Sequence, residues 1–225
     1  MKFIIDDANL KKITEIYEYY PVDGVTTNPS ILAKNGEPPY KVLQEIRNFI
    51  GTEQELHVQV ISKNANDMLK EAYKIREVLG EETYIKIPTT TEGLKAMKLL
   101  AREGIKITAT AIYTSMQAYL AGKSGADYVA PYVNRIDNLG ANGIETTKQI
   151  HDILKSNHFK TEVLAASFKN SQQVLELCQY GIGAATISGE VIDNLIKNDC
   201  VTVAIQNFVN DFEDLCGKGK TMLDF

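Results

Sequence analysis

Lys86 lies inside Thr83-Tyr84-Ile85-Lys86-Ile87-Pro88, a run that otherwise reads as a buried β-strand. Tyrosine and isoleucine favour a pleated, packed surface, and Pro88 ends the run because it offers no ladder N–H. A lysine at the centre of such a strand is costly, since desolvation penalises its charged form. Losing the proton relieves that cost and lowers the pKa. A neutral amine is a nucleophile, and with a carbonyl compound it forms a Schiff base. A strand-end lysine can instead snorkel its ammonium group to solvent, and the run by itself leaves both readings open.

Other chemically capable side chains recur at the ends of short apolar runs: Asp6, Thr26 and Asn28, Gln59, Thr108 and Thr110, Tyr132 and Arg135, Ser167 and Lys169. Each also has a plain structural reading. Asp6 suits an N-cap for the next helix. Asn28 before Pro29 suits a turn. The threonines are ordinary strand residues, Tyr132 suits a core, and Arg135 has Asp137 nearby for a surface ion pair. Gln59, inside His57-Val58-Gln59-Val60, is harder to place passively, because a buried amide needs several partners.

The elements that carry these residues alternate. Apolar runs at 3–5, 24–27, 56–61, 84–88, 106–112, 128–133, 162–166 and 184–187 read as strands. Between and after them, apolar residues recur at helical spacing over 10–20, 42–50, 68–79, 94–101, 116–121, 144–154, 174–178 and 191–196. Eight strand–helix repeats match a TIM (β/α)8 barrel, which typically takes about 250 residues. A doubly wound open sheet is the alternative, but no G-x-G-x-x-G follows the first strand. In a barrel the functional residues gather at the C-terminal strand ends. Every one of the polar residues above would then face one mouth, which the separate passive readings do not explain. A last helix at 201–216, with Val203, Phe208, Phe212 and Leu215, lies beyond the eighth repeat, and Gly217 to Lys220 reads as a flexible tail. No linker divides the chain, so residues 1–225 read as a single barrel domain with this extra C-terminal helix.

Bulk properties narrow the function. The 225 residues are 44% hydrophobic and 24% charged, which is an ordinary globular composition with a sizeable core. A net charge of −5 without long single-sign runs argues against nucleic acid or an anionic membrane as partner. The N-terminus turns acidic at Asp6-Asp7, too early for a secretory segment, and no apolar stretch approaches the roughly 18 residues of a membrane span. Cys178, Cys200 and Cys216 are an odd, widely spaced set and read as reduced thiols of a cytoplasmic protein. His57, His151 and His158 are scattered, so no metal site is expected.

Four segments are similar to the small transaldolase family: Gly24-Val25-Thr26-Thr27-Asn28-Pro29-Ser30; Ile85-Lys86-Ile87-Pro88 with Thr91-Glu92-Gly93-Leu94; Tyr128-Val129-Ala130-Pro131-Tyr132-Val133-Asn134-Arg135-Ile136-Asp137; and Val163-Leu164-Ala165-Ala166-Ser167-Phe168-Lys169. The resemblance runs in order from residue 2 to about 215. It implies a class I aldolase on a TIM barrel, with Lys86 as the Schiff-base lysine and no cofactor. It implies Lys86, Tyr132, Gln59, Thr110 and Asp6 as the catalytic set. It implies that Thr26, Asn28, Arg135, Ser167 and Lys169 bind substrate, the last three holding the phosphate of a sugar phosphate. It also implies a homo-oligomer, a pentamer-based ring up to a decamer, joined by the 201–216 helix. Gln59 and Tyr132 resemble the fructose-6-phosphate aldolase branch; transaldolases proper usually carry Glu and Phe there. Strand 8 departs from the family's Thr-apolar-Pro, continuing instead Thr186-Ile187-Ser188-Gly189.

Three activities are thus compared. The resemblance favours cleavage or synthesis of fructose 6-phosphate. Transfer of a dihydroxyacetone unit between sugar phosphates, as in the pentose phosphate pathway, is the second. A phosphosugar-binding barrel without turnover is the third, and the intact mouth set speaks against it.

Overall fold

The computed structural model describes residues 1–225. Its strands are β1 (Lys2–Asp6), β2 (Gly24–Thr26), β3 (Glu55–Gln59), β4 (Tyr84–Pro88), β5 (Ile107–Ile112), β6 (Tyr128–Pro131), β7 (Glu162–Ala165) and β8 (Ala184–Ile187). All pair in parallel with their sequence neighbours, and β8 pairs with β1 to close the barrel. The helices are α1 (Leu10–Tyr19), α2 (Pro29–Asn35), α3 (Pro39–Ile50), α4 (Ala65–Leu79), α5 (Thr91–Arg102) and α6 (Ser115–Lys123). They continue with α7 (Val133–Asn138), α8 (Gly143–Ser156), α9 (Ser171–Tyr180), α10 (Gly189–Asp193) and α11 (Asp199–Cys216). This is the TIM barrel that the strand–helix alternation predicts. Residues 1–192 form one compact unit and residues 193–225, with α11, a second. No helix is long and apolar enough to cross a membrane.

Three boundaries differ from the sequence reading, each for a local reason. Helix α2 is an extra seven-residue helix after β2: Asn28 caps it, Pro29 pre-sets its first turn, and left-handed Gly36 ends it. Strand β6 stops at Pro131 and α7 starts at once, so Arg135 sits on a short helix rather than on a strand end. Six residues are too few to show a helical period. The eighth helix is also shorter than 191–196, ending at Asp193.

Alternation along each strand sorts side chains into two sets. Ile5, Val25, Leu56, Ile85, Ile87, Ile107 and Val163 are fully buried, as are Ile13, Ile46, Met97 and Leu100 on the helices. Fully burying one such side chain is worth about 1.5–3 kcal/mol. The other set fills the barrel. Ile4, Tyr128, Leu164 and Ala184 pack together there, with Tyr84 against them. Close approach of α5 to β4 needs Gly93, because a Cβ there would lie 1.9 Å from the Pro88 carbonyl oxygen.

The barrel interior also holds a polar cluster around Glu55. His57 is wholly buried, stacked 4.5 Å from Tyr84. Its Nε2 lies 3.3 Å from a Glu55 oxygen and its Nδ1 2.8 Å from the Thr108 hydroxyl. A carboxylate only accepts, so Nε2 carries the proton and Thr108 donates to Nδ1. Burial pushes His57 below its ordinary pKa against the pull of Glu55. Burial would raise Glu55, but the hydrogen bonds from His57 and Lys2 outweigh it and hold the carboxyl at about 2.

A depressed carboxyl stabilises the fold above its unfolded pKa and loses that contribution as pH falls through the folded value. Glu55→Gln is therefore expected to destabilise the protein by about 2–3 kcal/mol at neutral pH. The gap to wild type should shrink as pH falls from about 5 towards 3. Denaturant unfolding across that range measures it, and a gap independent of pH would show that the charge of Glu55 is not what holds the cluster.

Candidate active site

The last inward positions of the strands surround a cavity of about 200 Å3 at the C-terminal mouth. Lys86, on β4, lines it and is 6% exposed. Its Nζ donates to the Thr27 carbonyl at 2.7 Å, just past the end of β2. Burial pushes the amine below its ordinary pKa, against the nearby Asp6. Burial likewise raises the Asp6 carboxyl, against Lys86 and a hydrogen bond from Thr26. Both groups are thus pushed towards their neutral forms, an amine beside a carboxylic acid.

Asp6 is held from β2 and β8. The Thr26 hydroxyl donates to it at 2.7 Å, and Thr26 and Thr186 hydroxyls are 2.6 Å apart. Thr26 has one proton, so Thr186 donates to Thr26 while Thr26 donates to Asp6. Asp6 does not cap α1; Asn9 does, and Asp7 takes the N–H groups of Ala8 and Asn9. Asn28 accepts from the Ile31 N–H at 3.0 Å as the α2 cap, which leaves its NH2 group unspent at the cavity wall.

Across the cavity, the Thr110 and Tyr132 hydroxyls are 2.8 Å apart. Thr110 precedes Ala111, whose φ of 56° is left-handed, and the β5–β6 register shifts there as a bulge. The bulge bends the strand end and re-aims its side chains. Ser167 is likewise left-handed, with φ of 63°. Its carbonyl and that of Ala166 accept the N–H groups of Asn134 and Val133, each at 2.9 Å, which ties the start of α7 to the end of β7. Such backbone costs about 1–3 kcal/mol per residue and persists where the surroundings impose it. The result places Arg135 4.4 Å above the Tyr132 ring, and Tyr113 meets the same ring edge-on at 5.6 Å. Arg135 makes no ion pair with Asp137, whose oxygens accept from Gly143 and Gln173.

Asp6, Asn28, Lys86, Thr110, Tyr132, Arg135 and Ser167 therefore line one cavity, and Thr26 bonds to its wall. Two residues of the expected set do not. Gln59 stands opposite Lys86 in the β3–β4 register, yet it lines a neighbouring cavity of about 580 Å3 with Tyr40, Leu43 and Glu71. Lys169 is exposed at the approach to α9, where its N–H donates to Gln173. Thr186, Ser30, Ile31 and Lys34 line the cavity without having been read from sequence. Strand alternation from Ala184 marks Thr186. The spacing 30, 31, 34 marks one helical face, but only once α2 is known to be a helix.

The profile of the family described as Transaldolase/Fructose-6-phosphate aldolase matches residues 3–223. A probable transaldolase of Thermodesulfovibrio yellowstonii is 40% identical over 215 residues, covering 96% of this chain and 99% of that protein. One from Clostridium botulinum (strain Hall) is 40% identical over 220 residues, covering 98% and 100%. A probable fructose-6-phosphate aldolase of Streptococcus pneumoniae is 38% identical over 213 residues, covering 94% and 96%. A match over nearly the whole length, on a closed barrel with Lys86 in its mouth, means that the chain belongs to the transaldolase/fructose-6-phosphate aldolase family.

Proposed function

We propose that this protein is a class I aldolase of the cytoplasm that cleaves fructose 6-phosphate to dihydroxyacetone and glyceraldehyde 3-phosphate, and joins them in reverse. The observation that carries the reading is the buried Lys86 amine, pushed towards neutrality and sharing with Asp6 the cavity at the barrel mouth.

Neutral Lys86 attacks the C2 carbonyl of the ketose. The carbinolamine loses its hydroxyl as water, and the resulting iminium is an electron sink that needs no metal or organic cofactor. The C3–C4 bond breaks, its electrons form an enamine on Lys86, and the C4 hydroxyl proton leaves as the aldehyde forms. A water held by the Thr110 and Tyr132 hydroxyls takes that proton; a phenol is too weak an acid to serve readily alone. Gln59, across the strand pair from Lys86, would complete the hold on this water by turning its amide towards the cavity. The enamine then regains a proton at carbon, and hydrolysis releases dihydroxyacetone. Positioned acid–base help of this kind is worth roughly 10²–10⁴-fold. Asp6 and Asn28 hold the donor hydroxyls. Arg135 offers a planar fork of donors to the phosphate, with the Ser167 hydroxyl beside it.

The second reading is a transaldolase, in which the enamine captures another aldose phosphate instead of a proton. The names printed for the Thermodesulfovibrio and Clostridium relatives support it. Gln59 and Tyr132 support the lyase.

For assembly we propose the ring of copies that the family resemblance implies. Helix α11 supports it: Val201, Ile205, Phe208, Phe212 and Leu215 recur at spacings of four and three, and Phe208 and Leu215 are 69% and 82% exposed. An apolar stripe of this kind needs cover, and a second copy supplies it.

Three measurements test these readings. Borohydride with dihydroxyacetone should fix a C3 adduct on the peptide containing Lys86, and Lys86→Met should fold without acquiring it; an adduct on a different lysine would remove Lys86 from the chemistry. Fructose 6-phosphate should be cleaved with no acceptor present, whereas turnover that appears only on adding erythrose 4-phosphate would make the enzyme a transaldolase. Light scattering should give a mass several times the 25.0 kDa chain, and a monodisperse monomer would rule the ring out.

A further inference from the structure

We propose that Lys34 of α2, rather than Lys169, supplies the second positive charge that holds the phosphate of the substrate. The inference rests on the sugar-phosphate reading above. It is motivated by where the two lysines lie: Lys34 lines the cavity that holds Lys86, Arg135 and Ser167, and Lys169 does not.

Helix α2 brings Lys34 there by construction. Asn28 fixes the start of the helix, Pro29 occupies its first turn, and the left-handed Gly36 stops it one turn after the cap-proximal residues. Ser30, Ile31 and Lys34 consequently share the face that meets the cavity. Lys34 also borders the adjoining cavity of about 640 Å3, together with Asp6 and Ile31. It thus stands where the inner site opens outward. No carboxylate pairs with its ammonium group, so the charge is uncommitted. Arg135 comes from α7 and is pinned over the Tyr132 ring.

Charge balance fits two cations. Lys86 and Asp6 are one amine and one carboxyl lining the same cavity, so they add no net charge whether both are neutral or both ionised. The charges left at the cavity are then Lys34 and Arg135, one positive charge each, against a phosphate dianion. The two side chains are complementary in kind: the guanidinium grips two oxygens in a plane, and the ammonium is a mobile point charge on a four-carbon stem. Lys34 at the opening also raises the local concentration of an anionic substrate before it docks.

The experiment compares aldol addition of dihydroxyacetone to glyceraldehyde 3-phosphate and to glyceraldehyde, in wild type, Lys34→Met, Lys34→Arg and Lys169→Met. Wild type should prefer the phosphorylated aldehyde; if it does not, the sugar-phosphate reading itself fails. Given that preference, Lys34→Met should lower kcat/KM for glyceraldehyde 3-phosphate roughly five- to twentyfold more than for glyceraldehyde, between the values for exposed and enclosed charged contacts. It should also flatten the salt dependence of the phosphorylated reaction, and weaken competitive inhibition by inorganic phosphate. Lys34→Arg should recover most of the loss. Equal losses for both aldehydes, or a larger loss of preference in Lys169→Met than in Lys34→Met, would overturn the assignment of Lys34. Position 34 is exposed on a short helix, so these variants are expected to fold.

Discussion

The hydrogen bond from the Lys86 Nζ to the Thr27 carbonyl, at 2.7 Å, is the constraint on which the rest of the site depends. An amine in an apolar interior needs a partner that accepts without adding a full negative charge. A backbone carbonyl does that: it orients the nitrogen while leaving desolvation free to push the pKa down. A carboxylate in direct contact would hold the amine protonated. Asp6 instead acts at a remove, one of its oxygens accepting from Thr26 and its own ionisation opposed by burial. The carbonyl is in reach because β2 lies two strands from β4 on the wall of a small barrel, and Thr27 follows directly on β2. Changing either strand's length by one residue would reverse the inward and outward sets and remove the pairing.

The barrel keeps a second group of ionisable residues apart from this one. Glu55, His57, Lys2, Tyr84 and Tyr128 satisfy each other by hydrogen bonds and stacking. The cluster is internally matched: Glu55 is held ionised, its charge opposed by Lys2, and His57 stays neutral with both nitrogens bonded. A buried polar network is tolerable only when its members are all partnered. A cluster satisfied in this way leaves Lys86 governed mainly by its own burial and by Asp6, while the charge of Lys86 adds to the forces that hold His57 below its ordinary pKa.

Most of the architecture was legible because β-barrel physics writes itself at two periods. The alternation of runs such as Ile85-Lys86-Ile87 and helical repeats such as Ile13, Ile16 each reflect one buried face. The mouth residues on strand ends were legible for the same reason. What escaped notice were α2 and α7, of seven and six residues, and with them Lys34 and the true setting of Arg135. Neither helix is long enough for a period to emerge. Their existence follows from caps: Asn28-Pro29 with Gly36 for the first, and for the second the ties from Val133 and Asn134 to the end of β7. The first is written in the sequence, though its own residues also read as a turn. The second is a tertiary fact. The exposure of Lys169 outside the cavity lining is tertiary too, as is the left-handed backbone of Ser167 two residues before it, which no serine advertises.

Strained backbone at the mouth is confined to positions beside its polar side chains. The two left-handed residues at the mouth, Ala111 and Ser167, lie on opposite sides of β6 and fix the groups that must not move: Thr110 against Tyr132, and Arg135 over the same ring. Compact barrel walls can hold such strained positions because the strands on either side fix the backbone. Lys86 and Asp6 belong to the same rigid wall. Helix α2 does not. It buries no residue fully, and its ends are set by local caps rather than by packing. Local openings start where few apolar contacts resist them, and α2 offers fewer buried side chains than the strands that carry Lys86 and Asp6. Lys86 and Asp6 thus sit on strands held from both sides by their neighbours, whereas Lys34 sits on a short helix whose ends are set by its own caps.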